Sequence, residues 1–145
     1  MKNNKGHVLS KVEGFTLIEM LVVIAIIGLL SSVVLVALGP SRNKAKDARI
    51  ISDLRQIQVI AETLYNGTTG KYPDAATLKG NANVTTASAD ITANGGTGFD
   101  IMPATGVTTV AFYATLNSLS IYCLDSNGFG GEITSNSSAS DGTCN

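Results

Sequence analysis

At 145 residues the chain has room for one modest domain and not comfortably for two. A formal net charge of −1 argues against bulk attraction to nucleic acid, and a single histidine, His7, leaves little scope for imidazole catalysis or metal ligation. The 44% hydrophobic content misleads as an average, because the apolar residues are unevenly spread: one block of 24 residues, Phe15 to Leu38, is almost wholly apolar and holds a single charge, Glu19.

Residues 1–14 are short, polar and basic, with Lys2, Lys5 and Lys11 against Glu13. The block FTLIEMLVVIAIIGLLSSVVLVAL follows. As a helix rising about 1.5 Å per residue it reaches roughly 36 Å, enough to cross a hydrocarbon core near 30 Å. Gly28, Ser31 and Ser32 offer small positions for close helix contact. Gly39-Pro40 then interrupts the run, and Pro40 predicts a kink or local melting through loss of the bond to the Val36 carbonyl.

Helical periodicity resumes beyond it. Ala48, Ile51, Leu54, Ile57, Ala61 and Leu64 fall at steps of three and four, predicting one apolar face. Arg42, Lys44, Lys46, Asp47, Arg49, Asp53, Arg55 and Glu62 surround that face, with Asp47 and Asp53 spaced for helical ion pairs. The reading is one long helix from about Phe15 to Tyr65, apolar all round in its first half and amphipathic in its second. Asn66-Gly67 predicts a left-handed cap, and Gly70-Lys71-Tyr72-Pro73 a loop.

Residues 75–105 are weakly patterned, with Asn94 to Gly98 read as loop or turn. Strands are predicted over Val107 to Leu116, Leu119 to Leu124 and about Phe129 to Thr134, joined at Asn117-Ser118 and at Asp125-Ser126-Asn127-Gly128. The fold class is therefore α+β: a long N-terminal helix whose amphipathic half packs on a small C-terminal antiparallel sheet. Cys123 and Cys144 sit in this polar domain, and a disulfide between them is expected in an oxidising compartment, tying down the tail from Ser135 to Asn145.

Gly14, Phe15, Thr16, Leu17, Ile18 and Glu19, placed between a short basic leader and a long apolar helix, resemble the leader-peptidase site of type IV prepilins and pseudopilins. The resemblance implies a cleaved leader at 1–14, a membrane and filament-core helix at 15–39, an amphipathic half at 40–66 and a small β domain at 67–145. It assigns cleavage and N-methylation to the Gly14–Phe15 junction and assembly to Glu19; in many relatives a helix-breaking proline comes slightly earlier than Pro40, so the break expected at Gly39 and Pro40 departs from that pattern. Removal of the leader would leave a net charge of −3. The implied partners are identical or related pilin subunits in a helical filament, a prepilin peptidase and methyltransferase, a membrane assembly platform, and membrane lipid before assembly. The implied location is a single-pass inner-membrane precursor with a cytoplasmic N-terminus, followed by an extracellular or periplasmic filament.

Physical chemistry supplies a reason for Glu19. A carboxylate in an apolar helix costs about 2.5–3.5 kcal/mol at mid-membrane, so it needs a partner or a proton. Cutting after Gly14 creates an amine on Phe15 that is largely cationic at neutral pH. In a staggered bundle, Glu19 of one subunit can meet the Phe15 amine of the next and fix the register. The charges flanking the apolar run are balanced, so the positive-inside rule alone chooses no orientation; the polar, cysteine-bearing domain argues for its export.

The basic stretch Arg42 to Arg55 reads better as a mixed-charge solvated face than as a nucleic-acid stripe, since Asp47 and Asp53 interleave with it. Asp125, Asn127 and Glu132 lack the acid-rich loop of a calcium motif and read as a hairpin turn, so no metal or cofactor is assigned. Ala37-Leu38-Gly39 offers a general signal-peptidase cut, opposed by the length of the apolar run and by Glu19. With no histidine left in the mature chain, both thiols paired and no ligand cluster, no enzymatic constellation is evident.

Overall fold

The computed structural model describes residues 14–102, 108–135 and 142–144. The leader cations, His7 and Glu13 lie outside these, as does the start of the strand expected from Val107. The elements run α1 (Leu17–Thr63), α2 (Ala75–Gly80), α3 (Ala82–Ala93), β1 (Thr97–Met102), β2 (Ala111–Thr115), β3 (Ile121–Asp125) and β4 (Gly130–Ile133). The chain divides into two units, Met1–Leu38 and Gly39–Asn145.

In the first unit, α1 is exposed on every side from Leu17 to Leu38, with Phe15 80% and Leu17 83% accessible. Nothing among the described residues covers this surface, and the helix is long and apolar enough to cross a membrane. The expected break at Gly39 and Pro40 does not end the helix: both lie inside α1. A proline removes one N–H and disturbs one turn, but the turns on either side keep their own bonds.

The second unit is built on the remainder of α1. Ile50, Leu54, Ile57 and Ala61 are wholly buried, against α2 and α3 through Leu78, Val84, Ala87 and Ile91 and against the sheet through Ile101, Phe112, Ala114 and Leu124. The buried face is rotated from the expected one: Ala48 and Leu64 are exposed and Ile51 is only partly covered. With two consecutive isoleucines at 50 and 51, periodicity alone left the choice open, and packing selects the row 50, 54, 57, 61. The helix closes with Leu64 N–H donating to the Ala61 carbonyl and Tyr65 N–H to that of Glu62. The left-handed residue comes later than expected, at Gly70 (φ 66°) rather than Gly67, because Asn66 pairs with Lys71 and its Oδ1 accepts from the Thr68 and Thr69 N–H groups.

The largest departure lies in residues 75–105, expected to be irregular. Asp74 caps α2 by accepting from the Thr77 N–H, and Asn81 caps α3 by accepting from Asn83. The helix α3 has a narrow buried row, Val84, Ala87 and Ile91, at helical spacing. Its surface hydroxyls turn back on the backbone: Thr86 donates to the Ala82 carbonyl, Ser88 to Thr85 and Thr92 to Ser88. The packing at its C-terminal turn is tight; a Cβ on Gly96 would come within 2.7 Å of the Ile91 side chain and 3.1 Å of that of Ile50.

The sheet is an antiparallel meander in the order β1-β2-β3-β4, one strand more than expected. Its register sets Tyr113 against Cys123 and Phe112 against Leu124. Strand alternation then separates two layers. Phe112, Ala114 and Leu124 face the helices, while Ala111, Tyr113 and Cys123 face the other way with Cys144. The structure joins Cys123 to Cys144 by a disulfide. At the β2–β3 connection, Leu119 adopts a left-handed backbone (φ 67°) with its side chain 85% exposed.

Phe112 is the largest of the fully buried side chains. Phe112→Ala is expected to cost about 3–5 kcal/mol of stability, read as a lowered denaturant midpoint of the detergent-solubilised chain. Leu119→Gly is expected to raise stability by up to about 1 kcal/mol, by relieving the left-handed strain without uncovering core.

Candidate functional site

The junction residues are the first of the described ones. Gly14 is exposed, and a Cβ placed on it would meet nothing within 4 Å, so the local fold does not demand glycine there. Thr16 and Glu19 form a reciprocal cap on α1. The Glu19 Oε2 accepts from both the Thr16 N–H and the Thr16 hydroxyl at 2.8 Å, and the Thr16 Oγ1 accepts from the Glu19 N–H at 3.3 Å. Glu19 thus has a hydrogen-bonding partner within its own chain, besides the neighbour's amine expected of it. The signal was present: Thr-x-x-Glu ahead of an apolar run is a capping box. The cap gives the carboxylate two hydrogen bonds but no neutralising charge.

The basic stretch sorts into three fates. Arg49 reaches α3, where its Nε and Nη2 donate to Asp90 Oδ2 at 2.8 and 2.6 Å, and its Nε also lies 3.5 Å from Asp53 on the next turn. Asp47 departs from the ion pairing expected of it. Its Oδ1 accepts from the backbone and side-chain nitrogens of Asn117, and its Oδ2 from the Ser118 N–H, pinning the β2–β3 turn to the helix. Arg42, Lys44 and Lys46 are exposed and have no acidic side chain within ion-pair distance among the described residues.

Asp53 lies at the floor of a groove of about 600 Å³ between α1 and α3, lined also by Arg49, Asn83, Thr86 and Asp90. It is only 2% exposed, and its Oδ2 is buried with no hydrogen-bond partner. Burial pushes its carboxyl above the ordinary carboxylate range, the neighbouring Asp90 adds to the rise, and Arg49 offsets part of it. At the other end of α1, Tyr72 donates to both oxygens of Glu62, and burial together with that carboxylate pushes the phenol up to about 12.

The Asp125 turn is a hub for backbone donors. Its Oδ1 accepts from the Asn127 and Phe129 N–H groups and its Oδ2 from that of Cys144. Glu132 stands exposed on β4, paired in register with Tyr122. Among the described residues no group of three or more His, Cys, Asp or Glu gathers in a way that suits a metal ion.

Residues 9–35 match the family model described as the prokaryotic N-terminal methylation motif. Such a motif is the class III leader of type IV pilins and pseudopilins, and its presence here supports a precursor of that type. The match spans the junction, the Thr16–Glu19 cap and most of the exposed apolar helix. No curated protein and no solved structure matches the chain. The leader and the single apolar helix fit a single-pass inner-membrane precursor, and the motif implies processing by a peptidase and assembly into filaments. The long helix followed by a four-stranded antiparallel sheet is an α+β arrangement that matches the pilin-like fold.

The raised Asp53 carboxyl carries a pH dependence with a definite sign. A carboxyl whose folded pKa lies above its unfolded value favours folding while protonated, so this contribution grows as pH falls and is lost as pH rises through the folded pKa. Asp53→Asn, which stays neutral throughout, is expected to be at least as stable as the native chain near pH 7. That advantage should shrink as the pH is lowered into the carboxylate range. Denaturant midpoints measured on both chains across the range decide it, and an Asn variant less stable at neutral pH contradicts the assignment.

Proposed function

We propose that this chain is a structural subunit of a type IV pilus or pseudopilus filament, inserted as a precursor, cut between Gly14 and Phe15 and assembled through its apolar helix. The observation that carries the reading is the coincidence of the methylation motif with a helix exposed on every side. An apolar surface of that extent needs lipid or neighbouring helices, and the precursor and the filament supply one each.

The junction supports the division of labour. Glycine at 14 is not required by the surrounding fold, so its small size is best understood as a requirement of the enzyme that cuts there. Glu19 keeps its charge unneutralised in the Thr16 cap, and the Phe15 amine released by cleavage is the cation that suits it. The methylation implied by the motif leaves the charge of that amine in place. Cys123–Cys144 and the Asp125 hub secure the sheet and tail as a small displayed domain.

Two experiments test this. N-terminal sequencing of the mature protein is expected to begin at Phe15; a start at Pro40 would mean general signal-peptide processing and end the filament reading. Glu19→Ala is expected to insert and be cut normally while filament yield falls by tenfold or more, a loss that needs only about 1.4 kcal/mol per subunit added. Undiminished filaments from that variant would refute the pairing of Glu19 with a neighbour's amine.

A further inference from the structure

Among the described residues Arg42, Lys44, Lys46, Arg55 and Lys71 pair with no acidic side chain, and the first three are grouped just past the apolar run. Exposed lysines are ordinary, so their position matters more than their number. Arg42 is four residues and Lys46 eight residues beyond Leu38, the end of the apolar run, within the same helix. At about 1.5 Å per residue that is roughly 6–12 Å along the axis. With the apolar run centred on the hydrocarbon, Leu38 lies about 3 Å outside it, in a headgroup layer roughly 5–8 Å deep. Flexible basic stems then reach back toward that layer from the two turns above it.

Their angular placement points the same way. At about 100° per residue, Arg42 and Lys46 lie near one another and Lys44 lies on the opposite side, so the charges encircle the helix. A partner on one side, whether a duplex or a single neighbouring chain, would meet only part of this set. A layer of phosphates surrounding the helix meets all of it. The acids that would otherwise quench it are engaged elsewhere: Asp47 with the Asn117-Ser118 turn, and Asp53 and Asp90 with Arg49.

We infer that Arg42, Lys44 and Lys46 form a phosphate-binding collar that seats the subunit in the anionic headgroups of the membrane on the folded domain's side. The timing of this contact, before filament entry, rests on the proposed function; the contact itself requires only that the helix span a bilayer. Removal of the leader takes Lys2, Lys5 and Lys11 from the other end of the span, so the collar becomes the chief basic anchor of the processed chain.

The test is lipid selectivity at the protein boundary. The full chain is reconstituted in phosphatidylcholine vesicles carrying trace spin-labelled phosphatidylglycerol or phosphatidylcholine, and the motionally restricted fraction is measured for each. A several-fold preference for phosphatidylglycerol is expected, bounded by about fivefold per cation, and weakening toward none in about 1 M salt. R42Q/K44Q/K46Q should lower the preference at least about twofold, the leader lysines being common to both chains. If the triple variant fails to insert, Lys44→Gln alone should give a smaller loss in the same direction. An unchanged preference in the variants overturns the proposal. So does retained lipid preference with lost filament formation, which would assign the cations to a neighbouring subunit. Failure of this test leaves the Glu19 and N-terminal sequencing outcomes untouched, so the two readings stand or fall separately.

Discussion

An apolar helix that none of the described residues covers is the constraint to which the rest of the molecule answers. From Leu17 to Leu38 every side chain is exposed. A soluble domain would have selected a polar outer stripe along such a helix. Here the stripe is missing for 22 residues and appears only beyond Pro40, where the same helix begins to carry charge. The single charge within the apolar part, Glu19, sits in the first turn, where a threonine one turn back supplies hydrogen bonds but no counter-charge.

The globular part repeats the theme of local satisfaction on a helix that is only partly its own. The amphipathic half of α1 is the spine of the core, and α2, α3 and the sheet close around its buried row. Asp47 is the tie between helix and hairpin, with three donors from the Asn117-Ser118 turn gathered on one carboxylate. Asp125 does the same at the opposite turn, holding the β3–β4 hairpin and the backbone of Cys144 together. Acidic residues in this chain serve the backbone more than they serve the lysines.

Much of this was legible in the sequence, and the failures have physical causes. The long helix, the three later strands and the turn positions follow from hydropathy, β-branched runs and Gly/Asn punctuation. The helices α2 and α3 were not read because Ala, Thr, Ser and Asn dominate them; their buried row is only Leu78, Val84, Ala87 and Ile91, too thin a stripe to stand out. The choice between Ile50 and Ile51 as the core row required the partner surfaces. The Asp47 contacts span about 70 residues of chain, and no local pattern announces them. The capping role of Thr16, by contrast, was written in four consecutive residues and went unread beside the processing motif that shares them.

The inward-turned hydroxyls of α3 carry a consequence for the environment the domain tolerates. Thr86, Ser88 and Thr92 are bonded to the helix's own carbonyls, so the outer surface of α3 is held by neutral, short-range contacts. Dissolved electrolyte has little grip on such bonds, whereas it weakens exposed ion pairs readily. The Arg49–Asp90 clamp is then the part of the α1–α3 junction that brine can loosen, while the helix itself keeps its hold from dilute to concentrated media.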